Sequence, residues 1–340
     1  MLAGALAALV SAGLTAMVRS YALRRAILDV PTTRSSHTVP TPRGGGLAVV
    51  VTVVAGVAVL AATRRIPAPT AVALLCGVPV ALVGWVDDRR GVSPRARLLV
   101  QAASAVAAVW ALGGLPAFRA GPFGAVALGS AGAALATLGV VWLTNLYNFM
   151  DGIDGLAGGQ AVVVAAAGGA LAWSTGAPHI AMPAWLLAAA AAGFLAWNWA
   201  PARIFMGDVG SGFVGFSFAV LALASERQGG PSAALWVLLL GAFVFDASVT
   251  LARRAWYGES VTTPHRAHAY QRATQSGASH AAVTTACLAI TGSLAVLGWL
   301  GTTRPTLAPA AAAAGLVVLA GAYAAVERVR PMRHTSGSAS

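Results

Sequence analysis

TAVALLCGVPVALVGWVDDRRGVSPRARLLVQAASAVAAVWAL, residues 70–112, decides the fold. Two apolar runs, each near the length of a bilayer-spanning helix, flank a short loop that holds Asp87, Asp88 and four arginines. The same pattern of apolar run, polar loop and apolar run recurs along most of the 340 residues. A carboxylate at a membrane helix centre costs about 2.5 to 3.5 kcal/mol on the insertion scale. The aspartates at the ends of such runs therefore imply a task.

With 58% hydrophobic and 9% charged residues, the composition lies outside the soluble class. Polar linkers long enough to separate two domains are absent, so residues 1–330 read as a single integral membrane domain. The small polar stretch within 331–340 reads as a disordered tail. The net charge of +12 comes from arginine, since the chain has no lysine. It fits cytoplasmic loops beside anionic lipid head groups, not a nucleic-acid partner. Cys76 and Cys287 both fall within apolar runs and read as buried small hydrophobes. Leu2–Val18 is apolar without a basic start, and Arg19, Arg24 and Arg25 follow it, as in a retained first helix that begins outside.

Hydropathy gives about eleven spans, near 2–18, 44–62, 69–86, 98–113, 124–144, 160–174, 181–197, 210–225, 232–252, 281–301 and 307–326. The fold class is thus an all-α polytopic membrane protein. With the N-terminus outside, the inner loops 19–43, 87–97, 145–159, 198–209, 253–280 and 327–340 hold 17 of the 22 arginines. That asymmetry satisfies the positive-inside rule and puts the C-terminus in the cytoplasm. Every acidic residue except Glu226 then falls on or near the cytoplasmic side.

Four stretches carry chemistry. Asp87 and Asp88 end the third span. Neighbours on a helix point about 100° apart, so one would contact a metal or accept a proton while the other orients a neighbour. The alternative is a solvated helix end offset by Arg89 and Arg90. In NLYNFMDGIDGLAGG, residues 145–159, Asp151 and Asp154 would share a helical face. Asn145 and Asn148 add amides suited to a base or sugar. A plain cytoplasmic loop would carry arginine here, and this one has none.

The third stretch, NWAPARIFMGDVGSGFVGF, residues 198–216, puts Asp208 at the start of the eighth span. The N–H groups of that helix start would favour an anion such as phosphate, with Arg203 near in sequence; an ordinary capped helix start is the alternative. The fourth, PHRAHAYQR, groups His265, Arg266 and His268 with Gln271 and Arg272 as a cationic, phosphate-binding set. Zinc is disfavoured there, because no third ligand is near and His280 lies twelve residues on. His37 and Arg43, in SSHTVPTPRGGG, would join this set. Asp246, inside the ninth span, would pair with an arginine or line the site.

The ordered set DD, NxxNxxDGxDGL, FMGDxGS and a late histidine loop resembles the polyprenyl-phosphate N-acetylhexosamine-1-phosphate transferases, a glycosyltransferase 4 group related to phospho-MurNAc-pentapeptide transferase. The resemblance covers about residues 19 to 280. It implies a magnesium-dependent enzyme, with manganese as a substitute, that moves HexNAc 1-phosphate from a UDP-sugar to polyprenyl phosphate and releases UMP. It also implies a bacterial inner-membrane location with the site facing the cytoplasm, and a homodimer as one candidate assembly. Asp87 and Asp88 match the family's acidic pair and Asp208 its magnesium ligand, with Asp88 and Asp151 as further candidate ligands. Asn148, Asp151 and Asp154 match nucleotide-binding positions. His265, Arg266 and His268, with Arg43 and Arg203, would contact the diphosphate or sugar.

The chain departs from the family pattern at HRAHAYQR, where many members that use UDP-GlcNAc carry RxHLHHRL. This form is similar to initiators of O-antigen and lipopolysaccharide synthesis that use 6-deoxy sugars. Arg203 stands where lysine is common. The alternatives are the pentapeptide transferase, whose three-histidine run is missing, a lipid-diphosphate phosphatase, and a polytopic transporter. A transporter would put its ionisable residues near the midplane on broken helices, whereas here they cluster at one face.

Overall fold

The computed structural model describes residues 2–31, 39–119, 124–260 and 265–332, so the expectations for His37 and for the tail from residue 333 lie outside the described residues. Fourteen α-helices are present among them: α1 Leu2–Arg24, α2 Gly46–Ala62, α3 Ala68–Leu75, α4 Val78–Arg90, α5 Pro94–Ala111, α6 Ala131–Phe149, α7 Leu156–Ser174, α8 Pro178–Asn198, α9 Asp208–Arg227, α10 Ala233–Leu239, α11 Gly241–Trp256, α12 Ala269–Gln275, α13 His280–Thr303 and α14 Ala308–Val329. Seven spans are long and apolar enough to cross a membrane, with α3–α4 counted as one. They become eight if α10–α11, which bends by 82°, is a single span. The apolar helix α2 has only 17 residues. Helices α5 and α6 carry Arg95, Arg97 and Gln101, and Asn145 and Asn148, within their lengths.

Helix α9 is the axis of the bundle, and every residue from Val209 to Glu226 is buried. Lipid tails are as apolar as a protein core, so helices in membranes gain little from hydrophobicity and associate through close packing of small residues. Gly46 and Gly210 let α2 and α9 touch, since a Cβ on Gly46 would lie 2.3 Å from the Gly210 Cα. Gly84 does the same for α4, where a Cβ would come within 2.4 Å of the Asp208 carbonyl oxygen. These contacts bring the end of α4 and the start of α2 to the start of α9.

Among the described residues, sheet is limited to two small additions to the all-α expectation. Strands β1 (Leu28–Asp29) and β2 (Thr41–Pro42) pair antiparallel, with Leu28 opposite Pro42. Beyond β2 the chain runs beside the segment preceding α9: Phe205 N–H donates to the Pro42 carbonyl, Gly45 N–H to that of Phe205, and Gly46 N–H to that of Met206. This lacing brings Arg43 against Asp208. Strands β3 (Ala117–Arg119) and β4 (Ala125–Ala127) form a hairpin fastened at the far end of α9. There the buried Glu226 carboxylate accepts the Arg119 N–H at 2.6 Å and guanidinium at 3.1 Å, and the Ala233 N–H at 2.7 Å.

Helices α11, α12 and α14 are joined by ion pairs. Glu327 accepts both Arg253 nitrogens, at 2.8 and 2.9 Å, and the fully buried Arg272 at 2.6 Å. Arg272, grouped by sequence with the phosphate-binding set, is therefore committed to holding helices together. Among the described residues, Asp246 pairs with no arginine. Its carboxylate accepts the Ala269 and Tyr270 N–H groups at 2.8 and 3.1 Å and the Thr250 hydroxyl at 3.0 Å, which caps the start of α12.

Candidate active site

Asp88 reaches across from α4 to the first turn of α9. Its side chain is 2% exposed, and its two oxygens accept the N–H groups of Asp208 at 2.9 Å and Val209 at 3.2 Å. The next two N–H groups, of Gly210 and Ser211, donate to the Gly207 carbonyl. The open, phosphate-ready helix start expected from sequence is thus already filled by a carboxylate, which the helix dipole favours there. Gly207, at φ 75°, permits this approach, because a Cβ would meet the Asp88 carboxylate at 2.5 Å.

Two guanidiniums bind the carboxylates into one cluster. Arg43 donates to Asp88 at 2.8 Å and to Asp208 at 2.7 Å, and lies 4.0 Å from Asp29. Burial works against its charge, but Asp88, Asp208, Asp29 and Asp151 outweigh that and raise its pKa above the ordinary arginine value. Arg97, in the first turn of α5, bridges Asp208 at 2.7 Å and Asp87. Asp87 also accepts the Val92 N–H at 2.6 Å, which closes the loop after α4. The two neighbours face different partners: Asp88 orients α9, and Asp87 holds Arg97.

A cavity of about 210 Å³ opens beside this cluster, lined among others by Arg43, Asn148, Asp151, Asp154, Asp208 and Gln271. Asn148 donates to the Ser211 hydroxyl at 2.8 Å. Asp154 accepts the Ala202 N–H at 3.0 Å and lies 3.3 Å from His280 Nδ1, which ties its turn to neighbouring loops. No protein hydrogen bond or ion pair to the Asp151 carboxylate is recorded among the described residues. Burial pushes its pKa up to about 7, with Arg43 opposing and Asp208 and Asp88 adding to the rise. The turn is buttressed from below by Tyr270, whose hydroxyl donates to the Phe149 carbonyl at 3.0 Å.

The residues suit a hard divalent cation. Asp29, Asp87, Asp88, Asp151 and Asp208 stand against Arg43 and Arg97, an excess of three formal negative charges among these residues. No three His, Cys, Asp or Glu side chains converge as a ready-made metal site among the described residues. Magnesium characteristically takes only one or two carboxylates and completes its shell with water and substrate phosphate.

Other residues singled out from sequence lie elsewhere. Arg203 is exposed, with its guanidinium 5.9 Å from the Trp197 ring, and does not line the cavity. His265, Arg266 and His268 also stand outside the lining, in the loop leading to α12. His268 is buried, 4.8 Å ring to ring from His265 and stacked on Tyr270 at 5.9 Å. Burial, followed by His268 and Arg254, pushes the His265 pKa down to about 4 against the pull of Asp246, so this histidine is neutral near pH 7 instead of cationic. Sequence reasoning did not select Arg97, Asp29 or His280. Arg97 is one of four arginines in its loop, and the twelve-residue distance of His280 from His268 bears on zinc alone.

A bundle of apolar helices with a charged pocket at one end of its most buried helix defines a polytopic membrane protein. The glycosyl transferase family 4 model matches residues 70–226. A Bacillus subtilis protein, "Probable undecaprenyl-phosphate N-acetylglucosaminyl 1-phosphate transferase", is 32% identical over 273 residues, 78% of this chain and 75% of its own. The undecaprenyl-phosphate alpha-N-acetylglucosaminyl 1-phosphate transferases of Salmonella typhi and Yersinia pestis are 31% and 30% identical, each over 77% of this chain, and over 72% and 73% of their own lengths. The chain belongs to glycosyl transferase family 4.

Proposed function

We propose that the protein transfers a HexNAc 1-phosphate from a UDP-sugar to polyprenyl phosphate, releasing UMP, as the first step of a lipid-linked cell-envelope glycan. The observation that carries this reading is the Arg43–Asp208–Arg97 cluster beside the unpartnered Asp151 carboxylate in one cavity. The names of the relatives, which specify undecaprenyl phosphate and a sugar 1-phosphate, support it.

In this reading an oxygen of the acceptor phosphate forms a bond to the donor's β-phosphorus. The bond from that phosphorus to the bridging oxygen breaks, and its electrons leave with UMP. Arg43 and Arg97 offset the charge on the diphosphate, which a dry, preorganised site does more effectively than water. Asp208 and Asp151 would hold a magnesium ion, with Asp88 supporting Asp208 from behind. Such an ion supplies charge neutralisation across the transferring phosphates. Asn148 and Asp154 face the donor, and Gln271 and His280 take the part that sequence assigned to His265 and His268.

The reading places eleven crossings in a bacterial inner membrane, with the N-terminus outside and the cavity facing the cytoplasm. The test is incubation of the purified protein with polyprenyl phosphate, magnesium and a panel of UDP-HexNAc donors. UMP release that requires the lipid is expected, and the preferred donor sets the specificity. Release of inorganic phosphate instead, or no lipid-dependent product with any donor, overturns the reading.

A further inference from the structure

At the end of the bundle that carries Asp87 and Asp88, α1, α2 and α4 enclose a crevice of about 670 Å³, separate from the cavity beside Asp208. Trp85 is the partition, since a Cβ on Gly44, which follows Arg43, would lie 3.2 Å from its ring. Met17, Val18 and Leu47 give the crevice apolar walls, and Tyr21, Arg24 and Arg89 line it too. The Arg89 guanidinium lies 3.8 Å from the centre of the Trp85 ring and 5.6 Å from that of Tyr21, and it donates to the Tyr21 hydroxyl at 3.4 Å. The recess opens at the periphery of the bundle. Met17, Tyr21 and Arg24 are exposed, as are Leu6 and Leu9 on the same apolar span.

No acidic partner of Arg24 or Arg89 is recorded among the described residues, and the ten acidic side chains of the chain are all placed elsewhere. Asp29, Asp87, Asp88, Asp151, Asp154 and Asp208 stand in the Arg43–Asp208 cluster or line its cavity. Glu226, Glu259 and Glu327 pair with Arg119, Arg254 and Arg253, and Asp246 caps α12. Neither this chain nor a second copy offers a carboxylate to the crevice. The anion that matches its two guanidiniums comes from another kind of molecule.

We propose that this crevice is a binding site for an anionic membrane phospholipid, with its phosphodiester at Arg24 and Arg89 and an acyl chain along α1. The inference is independent of the reaction proposed above. Guanidiniums bind phosphate oxygens through paired N–H groups, and basic side chains beside a membrane helix attract anionic lipid by about 1 kcal/mol each. Tyr21 and Trp85 suit the level of the head groups. Their ring faces hold the Arg89 guanidinium in place without neutralising it. A soluble anion would leave the apolar walls uncovered, and a zwitterionic lipid brings its own cation and leaves the guanidinium charge uncompensated. Helix α1 packs on α8 and α2, with the Ser11 hydroxyl donating to the Ala190 carbonyl at 2.6 Å. A lipid in the crevice touches α4 as well, and so fastens α1 to the end of the bundle without entering the cavity beside Asp208.

The test titrates the full chain in detergent with phosphatidylglycerol, phosphatidylcholine or inorganic phosphate, and reads retained lipid by native mass spectrometry and stability by melting temperature. Phosphatidylglycerol should be retained and should raise the melting temperature, whereas phosphatidylcholine and inorganic phosphate at the same concentration should do neither. A phosphatidylglycerol with a photoreactive acyl chain should leave adducts between Leu14 and Tyr21 or on Trp85. Arg89→Ala should raise the half-saturating concentration of phosphatidylglycerol about fivefold, the effect of one basic side chain at a membrane surface. Arg24→Ala should do the same without disturbing the contact of Arg89 with Trp85, which keeps the test open if Arg89→Ala does not fold. Arg65→Ala, beyond the other end of α2, should leave the concentration unchanged. Equal retention of phosphatidylcholine, an equal response to inorganic phosphate, adducts confined to other helices, or unchanged saturation in Arg24→Ala would each overturn the inference.

Discussion

The Asp88 carboxylate accepts the backbone N–H of Asp208 at 2.9 Å, so an acidic residue from α4 sets the position of the first residue of α9. Removing it has two effects. Asp88→Ala uncaps the helix at a cost of roughly 1–2 kcal/mol, and it frees Asp208 to move relative to Arg43 and Arg97. Turnover should fall by a factor on the order of a hundred, as expected when a reacting group shifts by about 1 Å. Because the two aspartates act as a unit, the Asp88→Ala, Asp208→Ala double variant should be scarcely worse than Asp208→Ala. Additive losses in kcat would show independent roles.

Tyr270 supports Asp151 through the Phe149 carbonyl and packs so closely that a Cβ on Gly152 would lie 2.1 Å from its hydroxyl. Tyr270→Phe deletes one hydrogen bond, worth about 1 kcal/mol. The expected result is a severalfold rise in the magnesium concentration for half-maximal activity, with little change in the KM for the lipid. A rise in lipid KM alone would place Tyr270 elsewhere in the mechanism.

Burial raises the Asp151 pKa to about 7, against an ordinary value of 3.8. The folded state then holds this proton more tightly than the unfolded state, so stability falls as pH rises from about 4 through about 7. A divalent cation on the ionised carboxylate opposes that loss. Magnesium should therefore raise the melting temperature more at pH 8 than at pH 5, and Asp151→Asn should abolish the difference. Equal shifts at both values would remove Asp151 from the cation site.

Glu327 compensates Arg272, whose side chain is 0% exposed. Glu327→Ala strands that buried guanidinium, an error that characteristically costs about 3–5 kcal/mol. The melting temperature should drop markedly while turnover per folded molecule is retained. A stable variant would mean that Arg272 finds other acceptors, such as the Arg330 carbonyl it already contacts at 2.7 Å.

Much of the fold was legible because apolar runs and breaks are local properties. The stretch 70–112 resolves into α3–α4, a loop and α5. The aspartates of the site were legible for the same reason, since each ends or begins an apolar run. Their partners were not. Arg43 reaches Asp208 because three backbone hydrogen bonds pair residues 42–46 with 205–206, and nothing in either segment's pattern announces the pairing. The filled start of α9 was equally hidden, because Asp88 arrives from a helix 120 residues earlier. The histidine loop differs from its composition in charge. Its composition suggested cations, yet burial keeps His265 neutral and Arg272 answers to Glu327.

The most direct test of the proposed reaction follows the donor's two phosphorus atoms separately. With purified protein, polyprenyl phosphate and magnesium, UDP-HexNAc labelled at the β-phosphorus should pass its label into the lipid product. The same donor labelled at the α-phosphorus should deliver it to UMP. Appearance of the β-label in UDP would mean that the sugar moves without its phosphate, and would contradict the account.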